Sequence, residues 1–529
     1  MLTGDNPTAG DLSGRGLRVS IYAVASTACR RHVHFVALMV LGTALRGLAM
    51  AAYTPALLFQ NDAYGYIKQA YDLSFSGPRP LLYPLFLKPA VLVHSLTAVV
   101  AAQHLLGLGM AVAFYILMLR AGAGPFLAAL GTAPLLLDGY QIAIEHYVMS
   151  ETLFDVFALG ALLAIAWPAR PSTWHVSLAG TAAALATLTR FVGTALYVPL
   201  VVFVLLRRRG AGARGTGCAA YALAAALPLV VYASLFKAST GAFALTGSAA
   251  YPFYGRVASF VDCGRLDLSR LQERLCPSPR AHRDPAQGQY TIVNKSELTD
   301  LLKEEGRSVN SIVKRFVTAA IAAQPADYAG AVVSDLGRYF SPSAPLEVSI
   351  KTRVWTFPRT LKDVRPYAFT VEELDGDPPP SYGFTGRFDI HRPEADLLRA
   401  YQLRAYTRGP LLAILIALGL VGGTAGIRSS RSRTAQLALV TALIALSFIL
   451  LRSIAGIYGY RYLLVAIPFA GPAGALGFAA LASHARRIRN RTKRSSSEPD
   501  FEQSSVSWET GAEGPAAAEG SGRKAKTWG

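Results

Sequence analysis

Ten stretches of roughly 16 to 25 mostly apolar residues run near 33–56, 97–119, 124–138, 150–168, 175–190, 191–206, 216–236, 409–427, 434–453 and 462–483. A helix needs about 20 apolar residues to cross ~30 Å of hydrocarbon, so runs of this length read as membrane crossings. An open strand would leave backbone N–H and C=O groups without partners in lipid, which leaves helices as the form such runs take. The predicted fold class is an all-α polytopic membrane protein with about ten transmembrane helices. The composition, 52% hydrophobic and only 16% charged over 529 residues, agrees with that class and not with several soluble domains.

The formal charge of +19 is confined to particular places. Arg15, Arg18, Arg30 and Arg31 precede the first run, and Arg120, Arg170, "RRRGAGARG" from Arg207, "RSSRSR" from Arg428 and "RRIRNRTKR" from Arg486 follow at every second connection. That is the positive-inside pattern, which predicts both termini in the cytoplasm and excludes a nucleic-acid-binding function for the basic clusters. "VSIYAVASTAC" before Cys29 loosely imitates a lipoprotein cleavage site, but basic residues and a full-length apolar run follow, so the first run reads as an uncleaved signal anchor.

The resulting organisation is a cytoplasmic segment over 1–32, a transmembrane module over 33–236 with its first outer loop at 57–96, an extracytoplasmic cap over 237–408, further transmembrane helices over 409–484, and a basic tail over 485–529 that reads as disordered. In the cap, "SVNSIVKRFVTAAIAAQP" spaces Ile312, Phe316, Ala319, Ala320 and Ala323 as an amphipathic helix ending before Pro325, and "ADYAGAVVSDLGRYF" reads as a second helix. The cap is therefore expected to be small and mostly helical. Cys263 and Cys276 in "DCGRLDLSRLQERLCP" fit a short disulfide loop worth about 3 kcal/mol in an oxidising exterior, with two buried thiols as the alternative.

The densest polar chemistry lies in the first outer loop, "FQNDAYGYIKQAYDLSFSGPRPLLYPLFLKP". Asp62 stands just past the first run with Tyr64 and Tyr66, and Pro78, Pro80 and Pro84 break the loop into short helices suited to lie along the interface. A carboxylate there can act as a general base. The second outer loop, "DGYQIAIEHYVMSETLF", offers Glu145, His146 and Glu151. Arg46 sits half-way along the first run, where charge is costly unless paired; an Arg46 to Asp155 structural pair and a catalytic role stand as alternatives. His94 and His104 read as packing or interfacial residues.

"NDAYGYIKQA" followed by "RPLLYPLFL", then "EHYVMSETLF", an Arg between two short runs, and "YRYLLVAIPF" on the last run resemble the GT-C superfamily of integral-membrane glycosyltransferases. Within it the chain resembles bacterial lipid-carrier-dependent enzymes related to aminoarabinose transferases and protein mannosyltransferases, over about 33–206 and again at the last run. The resemblance implies a polyprenyl-phosphate sugar as donor, an acceptor glycan, lipid or protein on the outer face, and an inverting transfer. It implies Asp62 as the catalytic carboxylate and Glu145 as an acidic residue near the acceptor. Arg79 matches the cation that faces the donor phosphate, with Arg190, Arg461, His146, Tyr64 and Tyr83 as further substrate-binding candidates. The family often places an acidic residue before that cation, sometimes with a divalent metal; Pro78 stands there instead, so no metal ligands are assigned, although a divalent metal is not excluded. A transporter or flippase, or a non-catalytic envelope-assembly protein, are the readings from other classes, but paired broken helices in two repeated halves are not evident.

Overall fold

The computed structural model describes residues 11–75, 79–247, 251–277, 309–342, 355–359, 389–430, 432–456 and 458–495. The stretch 375–388, loop-like by its run of Pro and Gly, Pro78 and the tail beyond Ser495 lie outside them. The chain divides into two compact units, Met1–His484 and Ala485–Gly529. The described part of the second unit is helical and basic; all that follows concerns the first.

The described residues are almost wholly helical. Their helices are α1 (Asp11–Ala52), α2 (Gln60–Asp72), α3 (Leu82–Leu92), α4 (Leu96–Arg120), α5 (Pro125–Leu137), α6 (Gly139–His146), α7 (Glu151–Ala166), α8 (Thr173–Thr189), α9 (Tyr197–Arg207) and α10 (Ala211–Thr240). There follow α11 (Tyr251–Val257), α12 (Arg270–Glu273), α13 (Val309–Ala323), α14 (Pro325–Tyr339), α15 (Arg392–Gln402), α16 (Gly409–Ser430), α17 (Arg433–Ala455), α18 (Arg461–Leu464) and α19 (Ile467–Ser495). One two-stranded antiparallel pairing joins β1 (Tyr53–Thr54) to β2 (Asp389–Ile390).

Each of the ten apolar runs is helical, but among the described residues five helices are long and apolar enough to cross a membrane: Arg30–Ala52, α4, α10, Gly409–Arg428 and α17. A sixth results if α5 and α6, bent by 50° at Asp138, count as one broken crossing. The difference from ten has local causes. The helices α7 and α8 have 16 and 17 residues, and the run at 191–206 starts as a 3-10 turn, Phe191–Leu196, before α9. The run in α19 is diluted by Pro472 and by Gly471, Gly474 and Gly477. Those glycines are used for close packing, since a Cβ on Gly477 would run into the carbonyl of Leu418 on α16. The protein is a multi-pass helical membrane protein, with its spans less regular than its hydropathy.

At bilayer depth the bundle contains a buried charge pair. Arg46 on α1 donates from Nε and Nη2 to the two carboxylate oxygens of Glu145 at 2.7 and 2.8 Å, and from Nη1 to the carbonyls of Gly42 and Leu136 at 3.1 and 3.0 Å. The sequence suggested Asp155 as a partner for Arg46. It is not: α1 packs on α5 and α6, which bring Glu145 to the guanidinium, whereas α7 packs against α8 and α4. Asp155 is fully buried and neither carboxyl oxygen has a hydrogen-bond partner among the described residues. Gly107 on α4 makes the Arg46–Glu145 pair possible, because any Cβ there would collide with the Glu145 carboxylate.

The segment after α10 forms a small separate core, with Tyr254, Val261, Leu275, Ile312, Val313 and Phe316 buried together and Cys263 joined to Cys276 by a disulfide. The helix α13 ends where Pro325 begins α14. Its buried stripe is Val309, Ile312, Val313, Phe316, Val317 and Ala320, so the β-branched Val313 and Val317 take the places that Ala319 and Ala323 held in the sequence reading. Larger side chains bury more apolar area and decide which face turns inward.

Replacing Arg46 with Ala leaves a buried carboxylate uncompensated and is expected to cost about 3–5 kcal/mol, read as a lowered unfolding midpoint in detergent. The paired change Arg46→Met with Glu145→Leu should recover most of it. Equal loss in the single and double variants would contradict this account of the pair.

Candidate functional site

The chain leaves α1 through Tyr53 and Thr54 and enters α2 at Gln60, and the short connection is tied down by backbone bonds to the second loop. Leu57 N–H donates to the His146 carbonyl at 3.1 Å, and Val148 N–H donates to the Leu57 carbonyl at 3.0 Å. Gln103 on α4 clamps the same loop, donating to the carbonyls of Glu145 and Tyr147 at 2.8 and 2.7 Å while accepting from the Tyr83 hydroxyl at 2.7 Å. With this anchoring Asp62 occupies the first turn of α2, where the positive end of the helix dipole favours an anion.

Around Asp62 four elements converge. Arg79, just before α3, donates to Oδ1, and Arg461, the first residue of α18, donates from Nη1 to Oδ2 at 2.7 Å. Glu151 at the start of α7 lies beneath, with Oε1 2.6 Å from Arg190 Nη1 and 3.3 Å from Arg461 Nε, an ion pair rather than an aligned hydrogen bond. Arg190 sits at the break between α8 and the 3-10 turn and also donates to Ser150 Oγ at 3.2 Å. The Tyr66 hydroxyl lies 3.0 Å from the same Ser150 oxygen. Asp62, Tyr66, Arg79, Arg190 and Arg461 border a cavity of about 220 Å³, whose other walls include Phe191, Val192, Phe253 and Leu451.

Four guanidiniums, those of Arg79, Arg190, Arg452 and Arg461, line this cavity, while Asp62 and Glu151 are the carboxylates paired with them. Aromatic faces hold the cations in place: Arg452 stacks 3.7 Å from the Tyr462 ring centroid, and Arg461 lies 5.4 Å from that of Trp355. Burial alone would raise the Asp62 carboxyl, but Arg79 and then Arg461 outweigh it and hold it below its ordinary value. Asp62 is thus an anion at neutral pH, and the site keeps an excess of positive charge suited to a phosphate.

Of the candidates named from the sequence, Asp62, Arg79, Glu151, Arg190 and Arg461 come together in the structure, and Glu145, His146, Tyr64 and Tyr83 lie apart from them. Glu145 is fully buried against Arg46 and His104, whose Nδ1 is 2.9 Å from Oε2. His146 donates from Nε2 to the Tyr53 carbonyl at 2.9 Å, which leaves Nδ1 to accept from His104 Nε2 at 3.1 Å. Tyr83 faces Gln103, and Tyr64 packs against the main core; neither borders the cavity. His104 is part of the buried network, more than the packing residue the sequence suggested. Sequence reasoning does not single out Tyr66, Arg452 and Tyr462 as site residues. Tyr66 had a signal, since it stands one helical turn from Asp62; Arg452 looks like the flank of an apolar run.

Among the described residues no three His, Cys, Asp or Glu side chains are close enough to hold a metal ion. The two carboxylates at the site are each committed to guanidiniums, so the donor set does not fit a divalent cation.

No family model matches the chain, and no curated protein does. Among solved structures it is similar to the oligosaccharyltransferase of Archaeoglobus fulgidus tethered with an acceptor peptide, at 13% identity and a TM-score of 0.39, covering 88% of this chain and 52% of that one. The archaeal oligosaccharyltransferase AglB from the same organism, in complex with an inhibitory peptide and a dolichol-phosphate, matches at 12% identity and a TM-score of 0.37 over 88% of this chain and 52% of that one. The chain spans about half the length of these structures.

The depressed Asp62 carboxyl fixes the sign of one pH effect. Its ionised form favours the folded state, so its contribution to stability is complete above 3.8, its ordinary value, and is lost as pH falls toward the lower folded value. The difference in unfolding midpoint between wild type and Asp62→Asn should therefore be constant from neutral pH down to the usual carboxylate range and shrink only below it. A difference that already shrinks near neutrality would contradict the pairing.

Proposed function

We propose that the protein is a GT-C-type membrane glycosyltransferase that moves a sugar from a polyprenyl-phosphate carrier to an acceptor hydroxyl or amide of an extracytoplasmic glycan, lipid or protein. The observation that carries this reading is the Asp62 carboxylate held between Arg79 and Arg461 at a cavity lined by four arginines. The residue-level resemblance of the first outer loop supports the same reading. The Lys and Arg distribution supports cytoplasmic termini and an outward-facing site.

In this reading the donor phosphate enters among the arginines and takes up guanidinium donors that Asp62 otherwise occupies. Asp62 then loses counter-ions and becomes a stronger base. It removes the proton of the acceptor group, whose oxygen or nitrogen attacks the anomeric carbon as the bond from that carbon to the phosphate oxygen breaks. One displacement inverts the anomeric configuration. The polyprenyl phosphate leaves as an anion without a general acid, and Arg79, Arg190, Arg452 and Arg461 hold the charge that develops on it. Glu151 orients Arg190 and Arg461, while Glu145 is held by Arg46 away from the cavity. Residues on α3 such as Leu85 and Leu92 are exposed, as a surface for an isoprenoid tail requires.

Membranes supplied with a panel of polyprenyl-phosphate sugars test this directly. Wild type should transfer sugar from at least one donor, and Asp62→Asn at matched expression should transfer it about 10²–10⁴-fold more slowly. Undiminished transfer by Asp62→Asn would remove Asp62 from the chemistry. Movement of the lipid across the bilayer without covalent transfer would replace the enzyme reading with the flippase.

A further inference from the structure

The helix α17 carries arginines at both ends, and each end borders a cavity. Arg452 lines the site already described; Arg433 lines a second cavity of about 540 Å³ with Arg170, Arg207, Arg208, Arg209 and Gln436. At 1.5 Å per residue the two arginines are about 28 Å apart along the helix, close to the ~30 Å thickness of bilayer hydrocarbon. The second cavity therefore lies at the opposite headgroup level from Asp62. Trp167 and Trp174, both exposed beside it, are the aromatic residues that favour that level.

Helix capping accounts for part of this cluster. Arg207 donates from Nη2 to the carbonyls of Pro168 and Ala169 at 2.6 and 2.9 Å, and Arg433 donates to those of Ala166 and Trp167, closing the C-terminal end of α7. Arg120 adds a bond to the Trp167 carbonyl at 3.2 Å. Capping does not account for the rest. The Nε atoms of Arg207 and Arg433 are buried with no hydrogen-bond partner. Arg170 and Arg209 are exposed at the rim, and Arg208 reaches only the Thr173 hydroxyl, at 3.3 Å.

None of these arginines is paired with a carboxylate among the described residues. The sequence explains why: no Asp or Glu occurs between Asp155 and Asp262, or between Asp396 and Glu498. Five guanidiniums crowded at one cavity without a counter-ion repel one another and call for an anion from outside. The wall residue Leu206 and the neighbouring exposed Leu205 supply apolar contact on the same rim.

We propose that this cavity binds the phosphodiester of an anionic phospholipid from the leaflet opposite the Asp62 site. The guanidiniums take the phosphate oxygens, and the acyl chains run along the exposed leucines between the helix ends. The assignment is independent of the transfer reaction, because no residue is shared between the two cavities.

The full-length protein in nanodiscs of equal parts phosphatidylcholine and phosphatidylglycerol, released and weighed by native mass spectrometry, tests it. Phosphatidylglycerol should be retained in preference to phosphatidylcholine, and its retention should fall about fivefold for each arginine removed in the series Arg170→Gln, Arg208→Gln and Arg209→Gln, none of which caps α7. Inorganic phosphate should not displace it. Equal retention of the two lipids, or retention unchanged in the series, overturns the proposal; displacement by inorganic phosphate overturns the lipid assignment in favour of a soluble anion. If a variant fails to fold, the competition between the two lipids in wild type still decides.

Discussion

Arg46 lies six residues before the end of α1, within the stretch long and apolar enough to cross a membrane, where an isolated guanidinium is costly, and Glu145 meets it with both carboxylate oxygens. Much else follows from that meeting. It brings α6 against α1 and requires the glycine at position 107, and it carries His104 and His146 with it to the carbonyl of Tyr53. The backbone bonds between Leu57 and the loop after His146 then set the entry into α2, and so the position of Asp62. A buried pair of this kind is weak evidence for stability in itself, since two charges must leave water to form it. Here it fixes one register between two loops that both reach the site.

The site depends on a competition for the same donors. Asp62 is held by Arg79 and Arg461, and Glu151 by Arg190 and Arg461, so every carboxylate is spoken for while an excess of positive charge remains. An entering phosphate must take donors from Asp62. The exchange couples binding to activation, because the carboxylate that loses its partners is the one that must accept a proton. The small core closed by the Cys263–Cys276 disulfide bears on the same region: Arg256 donates to Asp335 and to the Gly456 carbonyl, and Tyr458 N–H donates to Asp335 at 2.8 Å, next to the segment that carries Arg461.

The helical class was legible because hydropathy reports burial in lipid or protein without distinguishing them. That is also why ten apolar runs were expected where, among the described residues, five helices are both long and apolar enough to cross: α7 and α8, at 16 and 17 residues, fall just under that length. Asp62, Arg79, Arg190 and Arg461 could be grouped in advance because the resemblance carried by the loop motifs pointed to each of them. Glu145 could not be separated from them by sequence. It belongs to the same polar loop, and only the bend at Asp138 shows that its side chain turns inward to Arg46. Arg452 was hidden by its place three residues from the end of α17, where a basic residue normally marks an interface.

Binding of a short-chain polyprenyl phosphate to wild type and to Asp62→Asn, measured by calorimetry in detergent without any acceptor, tests the competition most directly. If Asp62 and the phosphate share the guanidiniums of Arg79 and Arg461, the Asn variant has lost the competitor and binds the phosphate more tightly than wild type. Equal or weaker binding by the variant would contradict the exchange and with it the account of how Asp62 becomes a base.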